Sequence, residues 1–380
     1  MVNKKRLVKL TQNLLSIDSQ NPPGNEVKIN DFIAREMKSL GLDVKVITYK
    51  KNRPNVIATL RGSLPRKQAA LEGLLLTPHI DVVPVGSGWT KDPFGKDIIG
   101  NKIYGRGATD DKGNCACAME ALRSLVESGY KPRKDIILAA TADEETGSHA
   151  GIKPLLEKKA LKPRFALVLD SEEFHTIIAQ KGLFHSRIRV FGKKAHGATN
   201  WKGINAIEQA AQIIRRLKKA EWKYKKHSLL DWVTVNIGTI KGGDKVNIVA
   251  DLCEFSVDFR FMPGMDPKDV ISRVKKIAAS VTKDFELVID DLQMPYGIDE
   301  DNKYVKAYVK AVKKVGKTAI LKGSNGATVI SFFQHQGIPA FATGFGKSGT
   351  LHANDEYAEI STLYHGARVL EQFIKDYDAL

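Results

Sequence analysis

Five short clusters in this 380-residue chain carry side chains able to hold cations or move protons. The first, Thr77-Pro-His79-Ile-Asp81, closes an apolar run. Residues two apart on a strand share a face, so Asp81 can reach the second ring nitrogen of His79 and fix its tautomer. Taken alone, such a pair is more often a hydrogen-bonded structural feature. The second, Tyr104-Gly-Arg-Gly-Ala-Thr-Asp110-Asp111-Lys-Gly113, looks superficially like a phosphate loop. It lacks the Walker spacing, and its adjacent carboxylates would repel a phosphate. Carboxylates call for a cation, and one Asp can bridge two metal ions about 3.5–4 Å apart. The third, Asp143-Glu144-Glu145-Thr-Gly147, puts three acids at the end of a buried strand, where they repel one another unless a cation or proton compensates. A solvated acidic turn is the plainer alternative. The fourth is Asp170, followed by Ser171-Glu172-Glu173, and the fifth is His352 in Gly349-Thr-Leu-His352-Ala-Asn-Asp355-Glu356. Together they supply two histidines and three or four carboxylates, an N/O set suited to zinc, cobalt or manganese with a position open for water.

These residues need a scaffold that brings distant segments together. Apolar spacing predicts a helix over Ile29–Leu40, stopped at Gly41, then strands over Val44–Tyr49, Asn55–Leu60 and Leu71–Thr77. A helix over Asn114–Ser128 and strands over Asp135–Thr141 and Phe165–Asp170 continue the alternation, which implies an α/β layer structure with a covered sheet. From Phe184 the order becomes strand (to Phe191), helix (Ile204–Leu217), strands (Thr234–Ile240, Cys253–Phe261), helix (Pro267–Ala279) and strand (Phe285–Ile289). That β-α-β-β-α-β order is ferredoxin-like. Helices over Tyr304–Val315, Ala327–Gln336 and Ile360–Tyr377 follow. The expectation is a small domain over 183–292 inserted between two parts of a larger one, 1–182 and 293–380.

Composition narrows the class. A hydrophobic content of 43% supports two cores in a chain of this length. The basic start leads into an interrupted amphipathic pattern without the apolar core of a signal peptide, and no stretch is long enough to span a membrane. Three cysteines, with Cys115 and Cys117 too close for an ordinary disulfide, favour a reducing compartment, the cytoplasm. The net charge of +16 comes from scattered lysines without interleaved aromatics, which reads as a solvated surface attractive to anionic substrates and not as a nucleic-acid site.

In their order along the chain, the five clusters resemble the metallopeptidase and deacylase family of acetylornithine deacetylase, succinyl-diaminopimelate desuccinylase, aminoacylase, carboxypeptidase G, carboxypeptidase S and carnosinase-like dipeptidases. The likeness begins at Leu14-Leu-Ser-Ile-Asp-Ser-Gln-Asn-Pro-Pro-Gly24 and covers essentially the whole chain. It implies a zinc-peptidase-like α/β domain with a ferredoxin-like lid, and two divalent metal ions, zinc or else cobalt or manganese. By the same resemblance Asp110 is the bridging ligand, His79 and Asp170 complete one metal site, and Glu145 and His352 complete the other. Asp81 supports His79 and Glu144 is the general base. In the lid, Lys194-Ala-His196-Gly resembles a segment whose histidine enters the partner subunit's site, implying a homodimer. Asn247 and Arg260 resemble a pair that holds the substrate carboxylate, a task suited to the guanidinium fork. Without the resemblance, a surface histidine and an Arg260–Asp258 salt bridge are the simpler readings.

The chain departs from the biosynthetic deacylases at two places. Asp170-Ser-Glu-Glu stands where they carry Glu-Pro-Thr, and Asp110 precedes Asp111-Lys-Gly in place of Met-Lys-Gly. Both look more like the dipeptidase and carboxypeptidase S branches, and Glu172 stays open as an alternative to Asp170. The expectation is a two-metal hydrolase that cleaves the amide bond of an N-acyl amino acid or short peptide with a free carboxylate. A strict biosynthetic deacylase and a catalytically inactive basic binding protein are its rivals.

Overall fold

A computed structural model describes residues 1–326 and 328–380. The chain divides into two compact units: 1–178 with 298–322 and 332–380, and 179–297 with 323–331.

In the first unit, Leu74–Thr77 is buried throughout and lies between Ile136–Ala140 and Phe165–Val168, parallel to both. Ala340–Thr343 adds in parallel beside Phe165–Val168. Pro54–Leu60 and Asp43–Thr48 extend the opposite side antiparallel. Strands covered on both faces have no polar face to keep, which is why these segments read as unbroken apolar runs. The helix Lys112–Glu127 is buried almost all round and relies on small residues. Its Gly113 passes so close to the carbonyl of Ala108 that no Cβ would fit.

The structure differs from the sequence expectations at several elements. Leu71 ends a short helix, Arg66–Leu71, so the strand expected from Leu71 starts only at Leu74. The amphipathic start folds as a helix, Lys4–Leu15, capped by the side chain of Asn3 and burying Leu7, Leu10, Leu14 and Leu15. The helix expected over Ala327–Gln336 begins on Ala327, outside the described residues, and Ile330–His335 is helical. Among the described residues no helix is long and apolar enough to cross a membrane.

The second unit has an antiparallel sheet in the spatial order Thr234–Gly242, Leu252–Phe261, Gly182–Phe191, Phe285–Gln293. Helices Ala206–Lys219 and Pro267–Ala279 complete the β-α-β-β-α-β order. Along Leu252–Phe261, Cys253, Phe255, Val257, Phe259 and Phe261 are buried. They pack with Ile213, Leu217, Val270 and Val274 of the helices, leaving Asp258 and Arg260 on the other face.

Candidate metal centre

Parallel pairing explains how residues far apart in sequence meet. Leu74–Thr77, Ile136–Ala140, Phe165–Val168 and Ala340–Thr343 point the same way, so their carboxyl ends share one edge, where open α/β sheets place their sites. His79 follows the first strand, Glu144 and Glu145 the second, Asp170 the third, and the loop leading to His352 the fourth.

Asp110 is the hub. Its Oδ1 lies 2.8 Å from Nε2 of His79, and its Oδ2 lies 3.1 Å from Nε2 of His352. The His352 ring is also 3.5 Å from Oε2 of Glu145. His79 turns Nδ1 to the backbone carbonyl of Asp81 at 2.9 Å, with the Asp81 carboxylate at 3.6 Å. That carboxylate accepts the amides of Glu144 at 3.0 Å and Glu145 at 3.1 Å, and Nδ2 of Asn21 at 2.8 Å. Asp81 therefore fastens the acidic turn to the segment that carries His79.

The turn itself, Glu144–Thr146, is entered through Asp143 at φ 68°. The Asp143 carboxylate accepts from Thr146 Oγ1 at 2.6 Å and from the Ala150 amide at 2.8 Å. Arg53 Nη2 lies 3.0 Å from Asp143, while its Nε donates to Glu26 at 2.6 Å, all three groups being buried. The sequence reading assigned no role to Asn21, Glu26 or Arg53. Asn21 and Glu26 stand in Gln20-Asn-Pro-Pro-Gly-Asn-Glu26 and Arg53 in Lys50-Lys-Asn-Arg53, polar stretches that read like ordinary surface loops.

Charge crowding governs the centre. Burial pushes the Asp170 carboxyl up to about 7, and the charges of Asp110 and Glu145 add to the rise. Glu144 is raised well above the usual carboxylate range by burial and then by Asp170. Hydrogen bonds to Asp110 and Glu145 push His352 up to about 10. Burial opposes a proton on His79, yet hydrogen bonds to Asp110 and Asp81 hold it well above an ordinary histidine. More acid is gathered here than these hydrogen bonds can neutralise, an imbalance that a divalent cation would relieve.

The donor set fits such a cation. His79, Asp110 and Glu145 each offer an atom, mutually within 4.8 Å. Among the described residues Glu145 Oε1 is buried without a hydrogen-bond partner, an orphan acceptor that a cation would satisfy. Glu172, the alternative to Asp170, accepts from Ser348 Oγ at 2.9 Å and lies 3.8 Å from His175.

The remaining expected site residues belong to the second unit. His196 is exposed, and its Nδ1 accepts the amide of Ala198 at 3.0 Å. The next amide, Gly197, donates to the carbonyl of Asn247 at 2.8 Å, so the His196 turn and the Asn247 segment are neighbours. Arg260 places its fork on Asp258, with Nε 2.7 Å and Nη2 3.3 Å from the two carboxylate oxygens.

Comparison with known proteins converges on one family. Residues 75–376 match the profile of peptidase family M20/M25/M40. The chain is 30% identical over 377 residues to the acetylornithine deacetylase of Photorhabdus laumondii, covering 96% of this chain and 94% of that one. It superposes on aminopeptidase PepT of Bacillus cereus with a TM-score of 0.82 at 22% identity over 99% of both chains. A dinuclear metal-binding peptidase of the M20 family from Bacillus subtilis superposes with a TM-score of 0.74 at 17% identity, covering 98% of this chain and 97% of that one. At these identities the two structures speak for the fold.

Proposed function

Because the chain belongs to peptidase family M20/M25/M40 and is a metal-dependent hydrolase, we propose that it is a cytoplasmic two-zinc amidohydrolase acting on an N-acyl amino acid or short peptide with a free carboxylate. The observation that carries this reading is Asp110, one buried carboxylate whose two oxygens face two histidines from opposite ends of the chain. In this reading Asp110 would be shared by two divalent ions, His79 and Asp170 would complete one site, and Glu145 and His352 would complete the other. Divalent ions held there would supply Lewis acidity and lower the pKa of a bound water toward neutral. Glu144, held by Asp81 through its amide, takes the proton of the attacking water and later delivers it to the leaving amine. The 30% identical deacetylase favours a second reading, a deacylase of amino-acid biosynthesis. Metal analysis of the purified protein, followed by a panel of acetyl- and succinyl-amino acids beside dipeptides, tests both. About two equivalents of metal with hydrolysis of at least one class is the expected outcome, and a metal-free protein that retains DNA salt-sensitively would instead mark a basic binder.

The inserted unit is read as a lid that supplies Asn247 and Arg260 for the substrate carboxylate and carries a dimer contact, with His196 serving the partner's site. Arg260 already faces Asp258, so a substrate carboxylate would have to share or displace that partner. Arg260→Ala should mainly raise KM, and amidating the substrate carboxylate should harm the parent enzyme more than the variant. Equal losses for both substrate forms in both proteins would assign Arg260 to the Asp258 pair alone.

A further inference from the structure

We propose that Glu356 is a positioning residue for Asp110, fixing through backbone amides where the bridging carboxylate presents its two oxygens. Glu356 is fully buried. One of its oxygens, Oε1, accepts from the amide of Thr109 at 2.9 Å and from the amide of Asp110 itself at 3.1 Å. The other, Oε2, accepts from Arg106 Nη1 at 2.7 Å, which compensates a charge that could not stand alone in this interior. Arg106 is also buried, and reaches the carbonyls of Ala353 at 3.2 Å and His352 at 3.4 Å. The pair therefore joins the two loops that carry Asp110 and His352 through their backbone groups.

The consequence is geometric. Asp110 can face both histidines only if its own peptide holds its orientation, because a rotation there would carry Oδ1 away from His79 and Oδ2 away from His352 together. The side chain of Thr109 reinforces the same segment, its Oγ1 donating to the carbonyl of Tyr357 at 3.0 Å and accepting the amide of Lys347 at 2.9 Å. The inference rests on the reading of Asp110 as a metal bridge.

The test compares two full-length double variants of equal charge. Arg106→Met/Glu356→Gln keeps an oxygen to accept both amides, whereas Arg106→Met/Glu356→Met does not. Removing both charges together avoids stranding one buried ion. Zinc affinity is read by competition with a chromophoric chelator, beside the melting temperature of the metal-free proteins. The Met double should bind zinc about 10–100-fold more weakly than the Gln double, the usual cost of losing an outer partner of a ligand. Equal zinc affinities in the two doubles overturn the proposal. If either double fails to fold, hydrogen exchange in the unaltered metal-free protein decides. The Thr109 and Asp110 amides must then exchange slowly, and fast exchange there overturns the role of Glu356. A parent chain that binds no zinc sinks the metal reading itself, a failure distinct from that of equal doubles.

Discussion

Glu144→Gln should leave a folded protein with its full metal content and near-normal substrate affinity that turns over about 10²–10⁴-fold more slowly, the usual contribution of a positioned general base. The side chain stands in the short helix Glu144–Thr146, whose position is set by Asp81 accepting the Glu144 and Glu145 amides and by Arg53 bracing Asp143. None of these contacts uses the Glu144 carboxylate, so the amide substitution should preserve the turn while removing the group that accepts a proton. Burial and the neighbouring Asp170 hold the Glu144 carboxyl above the usual carboxylate range. The adjacent Glu145 lies 3.5 Å from His352 and should behave differently, since its loss would reduce metal content as well as rate. Measuring kcat, KM and bound metal for both variants separates the two roles. Turnover of Glu144→Gln within a few-fold of the parent would remove Glu144 from the chemistry.

What could be read in the sequence, and what could not, follows from which interactions are local. The strand ends that carry His79, Glu144 and Asp170 were visible because covered parallel strands are continuous apolar runs, and a polar residue just beyond one stands out. Helix Pro267–Ala279 was equally plain, with Pro at its start and the Asp266 side chain accepting from the Lys268 amide. Ala340–Thr343 was missed. Ala-Phe-Ala-Thr after Pro339 carries too little pattern, and only pairing with Phe165–Val168 makes it a strand. The first helix reads in sequence as an interrupted pattern because lysines and an arginine share its length with the buried leucines. The supports of the centre were hidden for another reason. Glu26 and Arg53, or Arg106 and Glu356, pair across long stretches of chain, and a buried ion pair has no spacing rule that a single sequence can reveal.

His196→Ala should bind metal and assemble normally yet lose about 10²–10³ in kcat, the loss seen when a hydrogen-bond donor aimed at developing negative charge is removed. The local structure gives this side chain a defined chemical form. Its Nδ1 accepts the amide of Ala198, so in the neutral ring the proton resides on Nε2, which leaves Nε2–H as the donor. The ring is exposed and stands at the entry to the turn Gly197–Lys202, while the Gly197 amide is tied to the Asn247 segment. A donor of fixed tautomer on an anchored turn suits an oxyanion, and if it serves the partner's site the defect must be repairable in trans. Mixing His196→Ala with Glu144→Ala provides that test. Each parent should be strongly impaired, but a hybrid dimer contains one site with its own Glu144 and the partner's His196. Subunit exchange, followed by differently tagged chains, should restore activity in proportion to hybrid formed. Hybrids that demonstrably form and stay as inactive as either parent would return His196 to a structural role in its own turn. Activity in a monomeric preparation at the parent's level would exclude the partner contribution from the other side.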